Sequence, residues 1–524
     1  MGARIFHVLF FYAACAAACA AQHPYLAYSD LTGGPATGGG ENQGAIVTID
    51  GAWFGAVRAD SQVLLAGAPV YKILQWSDRK ISFQIGSQAR SGSLSVHTAR
   101  GDSNTLPFVV RGGKIHFVAT NGHDVGGGTW DAPWRTIARA EGSMRPGDIT
   151  YVLDGVQQVE LSNYHASLSI QNSGSADLPI ALVAYPAAKP VIGDAAGPEF
   201  GARTPAIKGG PFNDWIIAGF VMRGGNTALQ LNGVQRWRIV DNDFSCPRGD
   251  GSSACVEVSG SSSIVFLGNS VHDAGKLGAS KHYQSVYFTT DSNHIDLGWN
   301  RITHNHSCRG IQFHSSPVSA NTGFNQYDLR IHDNEIADQV CDGINLATID
   351  PSKGRIAIYN NLIARVGTGP APPDGDADYA CISSPGIVNR GPAGSGTVEI
   401  FNNTLSDCGP IGGPLAGAFA VGANSPVLLL ENNLIAQRNQ PYFTSASAVA
   451  RVRGNANLWT GAGQGPSATE GNLQGDPEFA RTPSPFALLP GSPAKHAASG
   501  CPVEYDIAGS QRDPAKGCSI GAYE

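Results

Sequence analysis

Half of the histidines in this chain are concentrated in one stretch, together with other side chains that transfer protons. Seven of the 14 histidines lie between residues 272 and 332, and the same stretch contains Lys281, Tyr287 and Arg309. These histidines are His272, His282, His294, His304, His306, His314 and His332. Side chains of these types donate and accept protons and carry positive charge, so they favour acid–base chemistry on an anionic substrate.

Cleavage of a uronic-acid polymer by β-elimination needs three groups of this kind. A cation neutralises the sugar carboxylate and makes the α-proton more acidic, a base removes that proton, and a donor protonates the leaving oxygen. We assign the cation to Arg309, the base to Lys281 or His282, and the donor to Tyr287 or His314.

Three carboxylates at alternate positions suggest a cation site in the same part of the chain. Asp374, Asp376 and Asp378 flank Gly375, and carboxylate oxygens are the ligands that Ca²⁺ prefers. The segment is not an EF-hand, because Tyr379 stands where that loop needs glycine. The alternative is a solvated acidic loop. A zinc site at the clustered histidines is disfavoured, since their spacing matches no known zinc pattern.

A repeat positions these side chains. The pattern apolar-x-x-Asn-x-apolar occurs seven times, at spacings of 27, 31, 34, 27, 42 and 30 residues. Its asparagines are Asn242, Asn269, Asn300, Asn334, Asn361, Asn403 and Asn433. Repeats of this length with a short alternating apolar run predict an all-β fold, a right-handed parallel β-helix.

Each asparagine is predicted to lie at a tight bend, to tolerate a left-handed backbone, and to bond the asparagine of the next coil. The spacing of 42 predicts one extra loop, over Gly367 to Asp378.

Aligning the coils predicts which side chains share a face. Glu257, Tyr287, Gln312 and Asn345 occupy one outward row, and His314 lies two residues beyond it. We call these four residues the polar row.

Two further pairs of residues match between neighbouring coils. Lys281 matches His306 in the turn before the strand, and Arg309 matches Asp342. We predict substrate-binding roles for Glu257, Gln312, Asp342, Asn345 and His306. The alternatives are an ion pair of Arg309 with Asp342, a solvated His306, and a Tyr287 ring that only covers its neighbours.

A glycoside hydrolase would instead need two carboxylates, roughly 5 Å or 6.5–9.5 Å apart. Glu257 and Asp342 face the row but are three coils apart, about 14 Å by stacking. Asp291 with Asp342 is another candidate pair. Hydrolase therefore ranks below lyase. The alternative of a different class is a non-catalytic carbohydrate-binding or surface protein.

Short predicted strands before the repeats indicate a β-sandwich over residues 22–111. The segment Thr48 to Gly55 fits the pattern TIxGxxFG, and Trp76 to Ile85 fits WSDxxIxFxI. This unit resembles the IPT/TIG immunoglobulin-like domain, which implies a spacer or ligand-binding module.

The segment that follows resembles the cap of polysaccharide-lyase-like β-helix proteins, in the strings from Val118 to Asn121 and from Gly128 to Trp134. Its short helix would cover the first coil of a β-helix over residues 112–460. Residues 461–524, which end in Ile520–Glu524, resemble the closing segment of secreted bacterial β-helix proteins.

The resemblance as a whole is to pectate-lyase-like proteins. It implies an extracellular polysaccharide as partner. The chondroitinase B and alginate lyase family uses a lysine base with a nearby arginine, but its local motif does not align onto Lys281 and Arg309. Only the type of chemistry carries over.

The N-terminus predicts export. Arg4 precedes an apolar stretch that is too short for a membrane span, and small residues precede a cleavage point near Gln22. The alternative is a lipid anchor at Cys19. We therefore expect a secreted, periplasmic or cell-surface protein with no membrane span.

Removing residues 1–21 leaves 34 of the 35 basic residues against 42 acidic ones, a formal charge of −8. That charge argues against a nucleic-acid partner, and we expect a monomer. Eight cysteines then remain, an even number that favours disulfides. Cys308 and Cys341 occupy matching positions in adjacent coils. The other expected pairs are Cys246–Cys255, Cys501–Cys518 and Cys381–Cys408.

Overall fold

Two sheets, antiparallel except for the parallel pair Gly33–Gly34 and Leu106–Val110, form the first unit of the protein. A computed structural model describes residues 22–205, 212–315, 326–386, 396–481 and 485–524. The predicted export signal and Cys19 lie outside the described residues. One sheet contains, in spatial order, Tyr25–Ser29, Ile46–Ala52, Lys80–Gln84 and Lys72–Trp76. The other contains Gly33–Gly34, Leu106–Val110, Gly92–Thr98, Gln62–Leu65 and Ala68–Pro69, with Gly101–Asp102 beside Gly92–Thr98. The predicted β-sandwich is confirmed.

Three long parallel sheets form the second unit, and they confirm the right-handed parallel β-helix. We call them sheets A, B and C, in the order in which the chain visits them within each coil. Sheet A contains Ile115–Val118, Ile149–Val152, Ile180–Ala184, Trp215–Ala218, Gln235–Val240, Ser262–Leu267, Asn293–Gly298, Leu329–His332, Ile356–Tyr359, Thr397–Phe401, Val427–Glu431, Val452–Asn455 and Thr469–Glu470.

Sheets B and C complete the coils. Sheet B contains Gln157–Gln158, Val191–Ile192, Val221–Arg223, Asp243–Cys246, Ser270–Ala274, Arg301–Ile302, Glu335–Ala337, Leu362–Ala364, Thr404–Ser406, Leu434–Ala436, Leu458–Thr460 and Leu473–Gln474. Sheet C contains Ala166–Ser169, Phe200–Arg203, Thr227–Asn232, Ser253–Ser259, Tyr283–Thr289, Arg309–Phe313, Ile344–Leu346, Tyr379–Ser384 and Ala416–Val421. Inward side chains of all three sheets pack into one continuous apolar core.

The asparagines form a buried ladder at the bend between sheets A and B. In each step, the side-chain oxygen of one asparagine accepts two hydrogen bonds from the asparagine of the preceding coil. For example, Asn269 Oδ1 accepts a bond from the Asn242 backbone N–H at 3.0 Å and from the Asn242 side-chain amide at 3.1 Å. The ladder runs through all seven predicted asparagines and continues to Asn457, which the sequence pattern missed.

The backbone part of that prediction is wrong. The residue before the ladder asparagine takes the left-handed conformation, for example Asp333 at φ 53° and Asn360 at φ 54°. The preceding residue makes the turn, because the asparagine must keep its side chain pointing inward to its partners.

A short helix closes the first coil. It spans Ile137–Ser143, begins at the N-cap Thr136, whose side chain accepts a bond from the Arg139 N–H, and buries Ile137 and Ala140 against the core. Two further short helices, of the 3₁₀ type, are Gly40–Asn42 and Ala446–Arg451.

The C-terminal segment packs along the side of the solenoid. Ala494 and Ile520, which follow the last coil in the sequence, contact the outward-pointing side chains of Leu434 and Leu458 on sheet B. The segment reaches back to the sandwich, where the Trp53 indole N–H donates to the Gly509 carbonyl at 3.1 Å.

The sandwich lies on the outer face of sheet A. Lys80 forms an ion pair with Asp241 at 2.7 Å, and the Tyr28 hydroxyl donates to the same carboxylate. Farther along sheet A, the buried His332 imidazole bonds Asp296 at 2.9 Å and Asp333 at 2.8 Å. Burial lowers the pKa of His332, but these two carboxylates raise it to about 9.

All four predicted disulfides are present: Cys246–Cys255, Cys308–Cys341, Cys381–Cys408 and Cys501–Cys518. The Cα atoms of Cys308 and Cys341 are 4.7 Å apart, the separation of stacked coils. Disulfides persist in oxidising compartments, so four of them fit an extracellular protein. Within the described residues, no helix is long and apolar enough to cross a membrane.

Candidate functional site

A cleft of about 340 Å³ opens on the outer face of sheet C. It lies between the strands of that sheet and two loops, residues 276–282 and 365–378. The five predicted catalytic residues all line it: Lys281, His282, Tyr287, Arg309 and His314. The structure therefore brings together the side chains that the sequence assigned to acid–base chemistry.

Strand register confirms the polar row. Glu257 pairs with Tyr287, Tyr287 with Gln312, and Gln312 with Asn345. Gln312 and Asn345 line the cleft although they are largely buried, so they form its floor. Glu257 lies one coil outside the cleft, where its carboxylate accepts a bond from the Ser253 hydroxyl at 3.2 Å. Burial raises the pKa of Glu257.

The turn that carries Lys281 is held by the long loop. The Asp374 carboxylate accepts bonds from the Lys281 backbone N–H at 2.9 Å and from the Ser280 hydroxyl at 2.6 Å. The Lys281 amine lies against Gly375, where an added Cβ atom would be 3.0 Å from Nζ. Within the described part of the chain, no carboxylate forms an ion pair with this amine. The Lys281 amine is therefore not engaged by a carboxylate of the described residues and lies open to the cleft.

Arg309 forms an ion pair with Asp342, the alternative that their matching positions left open. Its Nε lies 3.3 Å from the Asp342 carboxylate, and its Nη1 donates to the Lys281 carbonyl at 2.8 Å. The side chain is only 13% exposed, and Asp342 is fully buried beneath it. The guanidinium is thereby fixed in position at the edge of the cleft.

Asp342 and Asp378 share the positive charge of Arg309. Burial and the proximity of Asp378 raise the pKa of Asp342, and they outweigh Arg309 and the hydrogen bonds from Asn345 and Ser383. Burial also raises the pKa of Asp378, which lines the cleft. Two carboxylates of raised pKa thus flank one guanidinium.

Tyr287 and His314 form a hydrogen-bonded, stacked pair that lines the same cleft. The tyrosine hydroxyl lies 3.1 Å from His314 Nδ1, and the two rings are stacked. Burial, Arg309 and His282 lower the pKa of His314, while burial raises the pKa of Tyr287. Near neutral pH the pair is therefore an uncharged imidazole beside a protonated phenol.

The remaining predicted residues are more dispersed. His306 is exposed in the turn before Arg309 and does not line the cleft. Of the three loop carboxylates, Asp376 and Asp378 line the cleft, whereas Asp374 bonds the neighbouring turn. Within the described ranges, no group of three or more metal-ligating side chains surrounds a common point. Calcium binding stays a prediction.

Sequence reasoning missed Gln284. Its side chain is almost fully buried, accepts the Arg309 backbone N–H at 3.1 Å, and donates to the Lys281 carbonyl at 3.1 Å. It therefore joins the turn of Lys281 to the strand of Arg309. The strand register could have identified this residue, because Gln284 pairs directly with Arg309 on the next strand of sheet C.

Comparisons with known proteins identify the fold. No sequence family matches the chain, and no curated protein matches it. Among solved structures, the chain is similar to pectate lyase Pel9A, with 14% identity over 78% of this chain and 96% of that one, at a TM-score of 0.53.

Two other similar structures are XylC in complex with xylose and a Family 28 exopolygalacturonase of Yersinia enterocolitica. The first has 10% identity over 78% of this chain and 98% of that chain, at a TM-score of 0.47. The second has 11% identity over 86% of this chain and 99% of that chain, at a TM-score of 0.41. At 14% identity, the similarity to pectate lyase Pel9A shows the fold alone.

Proposed function

We propose that the protein is a polysaccharide lyase that cleaves a uronic-acid-containing polymer by β-elimination in the cleft on sheet C. The observation that carries this proposal is the convergence of Lys281, Arg309 and the Tyr287–His314 pair in one cleft. The fold shared with pectate lyase Pel9A supports a polysaccharide substrate.

The reaction needs a positioned base near the α-proton and a proton donor near the glycosidic oxygen. Lys281, or His282 beside it, removes the proton α to the carboxylate. The electron pair of that C–H bond forms a carbon–carbon double bond as the bond to the glycosidic oxygen breaks. Tyr287 gives its proton to the departing oxygen, and His314, at hydrogen-bond distance, relays a proton from solvent to restore the phenol.

Arg309 is the group that binds the sugar carboxylate and stabilises the charge that develops on it. Its pairing with Asp342 does not cancel this role. Because the pKa values of Asp342 and Asp378 are both raised, the pair retains a proton more readily than ordinary carboxylates do. When these two carboxylates share one proton, they and Arg309 together carry no net charge and do not repel the sugar carboxylate.

The test is a screen against uronate polymers, with the ultraviolet absorbance of the unsaturated product as the readout. Lys281→Ala should lower turnover at least about 100-fold, as expected for the loss of a base. His282→Ala separates the two candidates for that role. The matched control is Lys276→Ala, because Lys276 lies in the same turn but pairs with Asp250 outside the cleft. Full activity in both Lys281→Ala and His282→Ala would contradict the mechanism.

A glycoside hydrolase is the second candidate, and one observation favours it. Asp376 and Asp378 both line the cleft, and the raised pKa of Asp378 suits a general acid. Hydrolysis produces new reducing ends without the unsaturated chromophore. Reducing ends that form without that absorbance, and that disappear in Asp378→Asn, would establish hydrolysis and reject the lyase.

A further inference from the structure

The polar row continues beyond the cleft toward the N-terminal coils. Glu257 pairs with Gln230, and Gln230 pairs with Arg203. Both added residues point outward, because the adjacent Ala202, Leu229 and Leu231 are buried in the core. Sheet C therefore presents an unbroken line of polar side chains from Arg203 to Asn345.

Arg203 is held in a fixed orientation without an ion pair. Its guanidinium carbon lies 3.8 Å from the centre of the Phe200 ring, and Nη1 donates to the Tyr164 carbonyl at 3.1 Å. Glu199 and Glu257 lie close enough to influence it electrostatically, but neither pairs with it. Its Nε is buried without a hydrogen-bond partner among the described residues. A guanidinium without an ion pair is suited to donate charge-assisted hydrogen bonds to a carboxylate.

The spacing of the row matches an extended polymer. Coils stack about 4.8 Å apart, which is close to the length of one sugar residue in an extended chain. Three coil steps separate Arg203 from Tyr287, so their backbones are about 14 Å apart along the solenoid axis. A polymer lying along the axis would place successive sugars over successive coils.

We propose that the outward row from Arg203 to Asn345 is one continuous groove for a polyuronate, in which Arg203 binds the carboxylate of a sugar three units from the one beside Tyr287. This inference rests on the proposed function and adds to it the charge and the minimum length of the substrate. Glu257 lies between the two ends. Its carboxylate is bonded by Ser253, and burial raises its pKa, which lessens its repulsion of a polyanion.

The test compares oligouronates of defined length. An oligomer must cover four successive positions of the row to reach both Arg203 and Tyr287. Arg203→Gln should therefore lower kcat/KM roughly 10- to 100-fold for tetramers and longer chains, as expected for the loss of a charge-assisted bond. Dimers and trimers should be unaffected. Arg301→Gln is the control, because Arg301 lies on sheet B and pairs with Glu335.

Binding measured by calorimetry with the Lys281→Ala variant separates this inference from the proposed function. If oligouronates bind with a length dependence that Arg203→Gln removes, the groove is supported even where no cleavage occurs. If the enzyme cleaves uronates but Arg203→Gln lowers kcat/KM equally for all oligomer lengths, or for none, the groove proposal is wrong and the lyase proposal is retained. Absence of both binding and cleavage would overturn both. Equal binding of neutral oligomers would overturn the carboxylate assignment.

Discussion

The asparagine ladder predicts a large loss of stability when one step is removed, and Asn334→Leu is the sharpest form of that test. Asn334 is fully buried in the middle of the ladder. Its oxygen accepts bonds from the Asn300 backbone and side chain at 3.0 and 2.9 Å. Its amide donates to the Leu297 carbonyl at 3.0 Å and to Asn361 at 2.9 Å. Leucine has a similar size but replaces none of these four bonds.

The magnitude follows from the number of bonds lost. A buried hydrogen bond contributes about 1 kcal/mol, and a polar group left without a partner costs about 1–3 kcal/mol. Four lost bonds therefore predict a decrease of about 4 kcal/mol in the free energy of unfolding. A surface substitution changes this quantity by only about 0.5 kcal/mol.

Urea denaturation followed by circular dichroism measures the effect. The matched control is Asn163→Leu, because Asn163 is an exposed loop asparagine. A second comparison is the double variant with Asn361→Leu, which should lose less than the sum of the single changes, since the two side chains share a bond. If Asn334→Leu is no less stable than the Asn163→Leu control, the ladder does not stabilise the solenoid.

Three further predictions concern charged groups. Arg309→Ala should destabilise the protein by about 3 kcal/mol, because it leaves Asp342 buried and unpaired. The double variant Arg309→Ala with Asp342→Ala should regain the wild-type melting temperature. If the double variant also regains activity, Arg309 is only structural. His332 has its pKa raised to about 9, so its contribution to stability is complete below its unfolded pKa of about 6.5 and is lost as pH rises through about 9. His332→Gln should flatten the melting temperature over that window, and an unchanged profile would contradict the assignment. Asp374→Ala should lower turnover about 10-fold at an unchanged melting temperature, because it releases the turn that positions Lys281. An equal loss of turnover when EDTA is added to the wild-type protein would indicate that a bound cation acts through the same loop.

Sequence alone determined the repeat, its sheet register and the disulfides. Parallel coils stack one upon another, so a residue's partner is the matching residue one repeat away. That rule was sufficient to predict the row from Glu257 to Asn345 and the Cys308–Cys341 bond. It missed Asn457, whose coil is shorter at 24 residues from Asn433. In the sandwich no repeat relates one strand to the next, so this rule could not predict the pairing of Tyr25–Ser29 or Lys72–Trp76.

Only the tertiary structure decided how the candidate site is assembled. Lys281 is held by Asp374, 93 residues away in a loop whose length follows no repeat. Asp378, which the sequence suggested as a metal ligand, interacts electrostatically with Arg309 and Asp342, and burial raises its pKa. The physical reason is that stacking fixes backbone register one coil at a time. Loop conformation and the sharing of charge depend on side chains that meet across many coils, and no local spacing encodes those contacts.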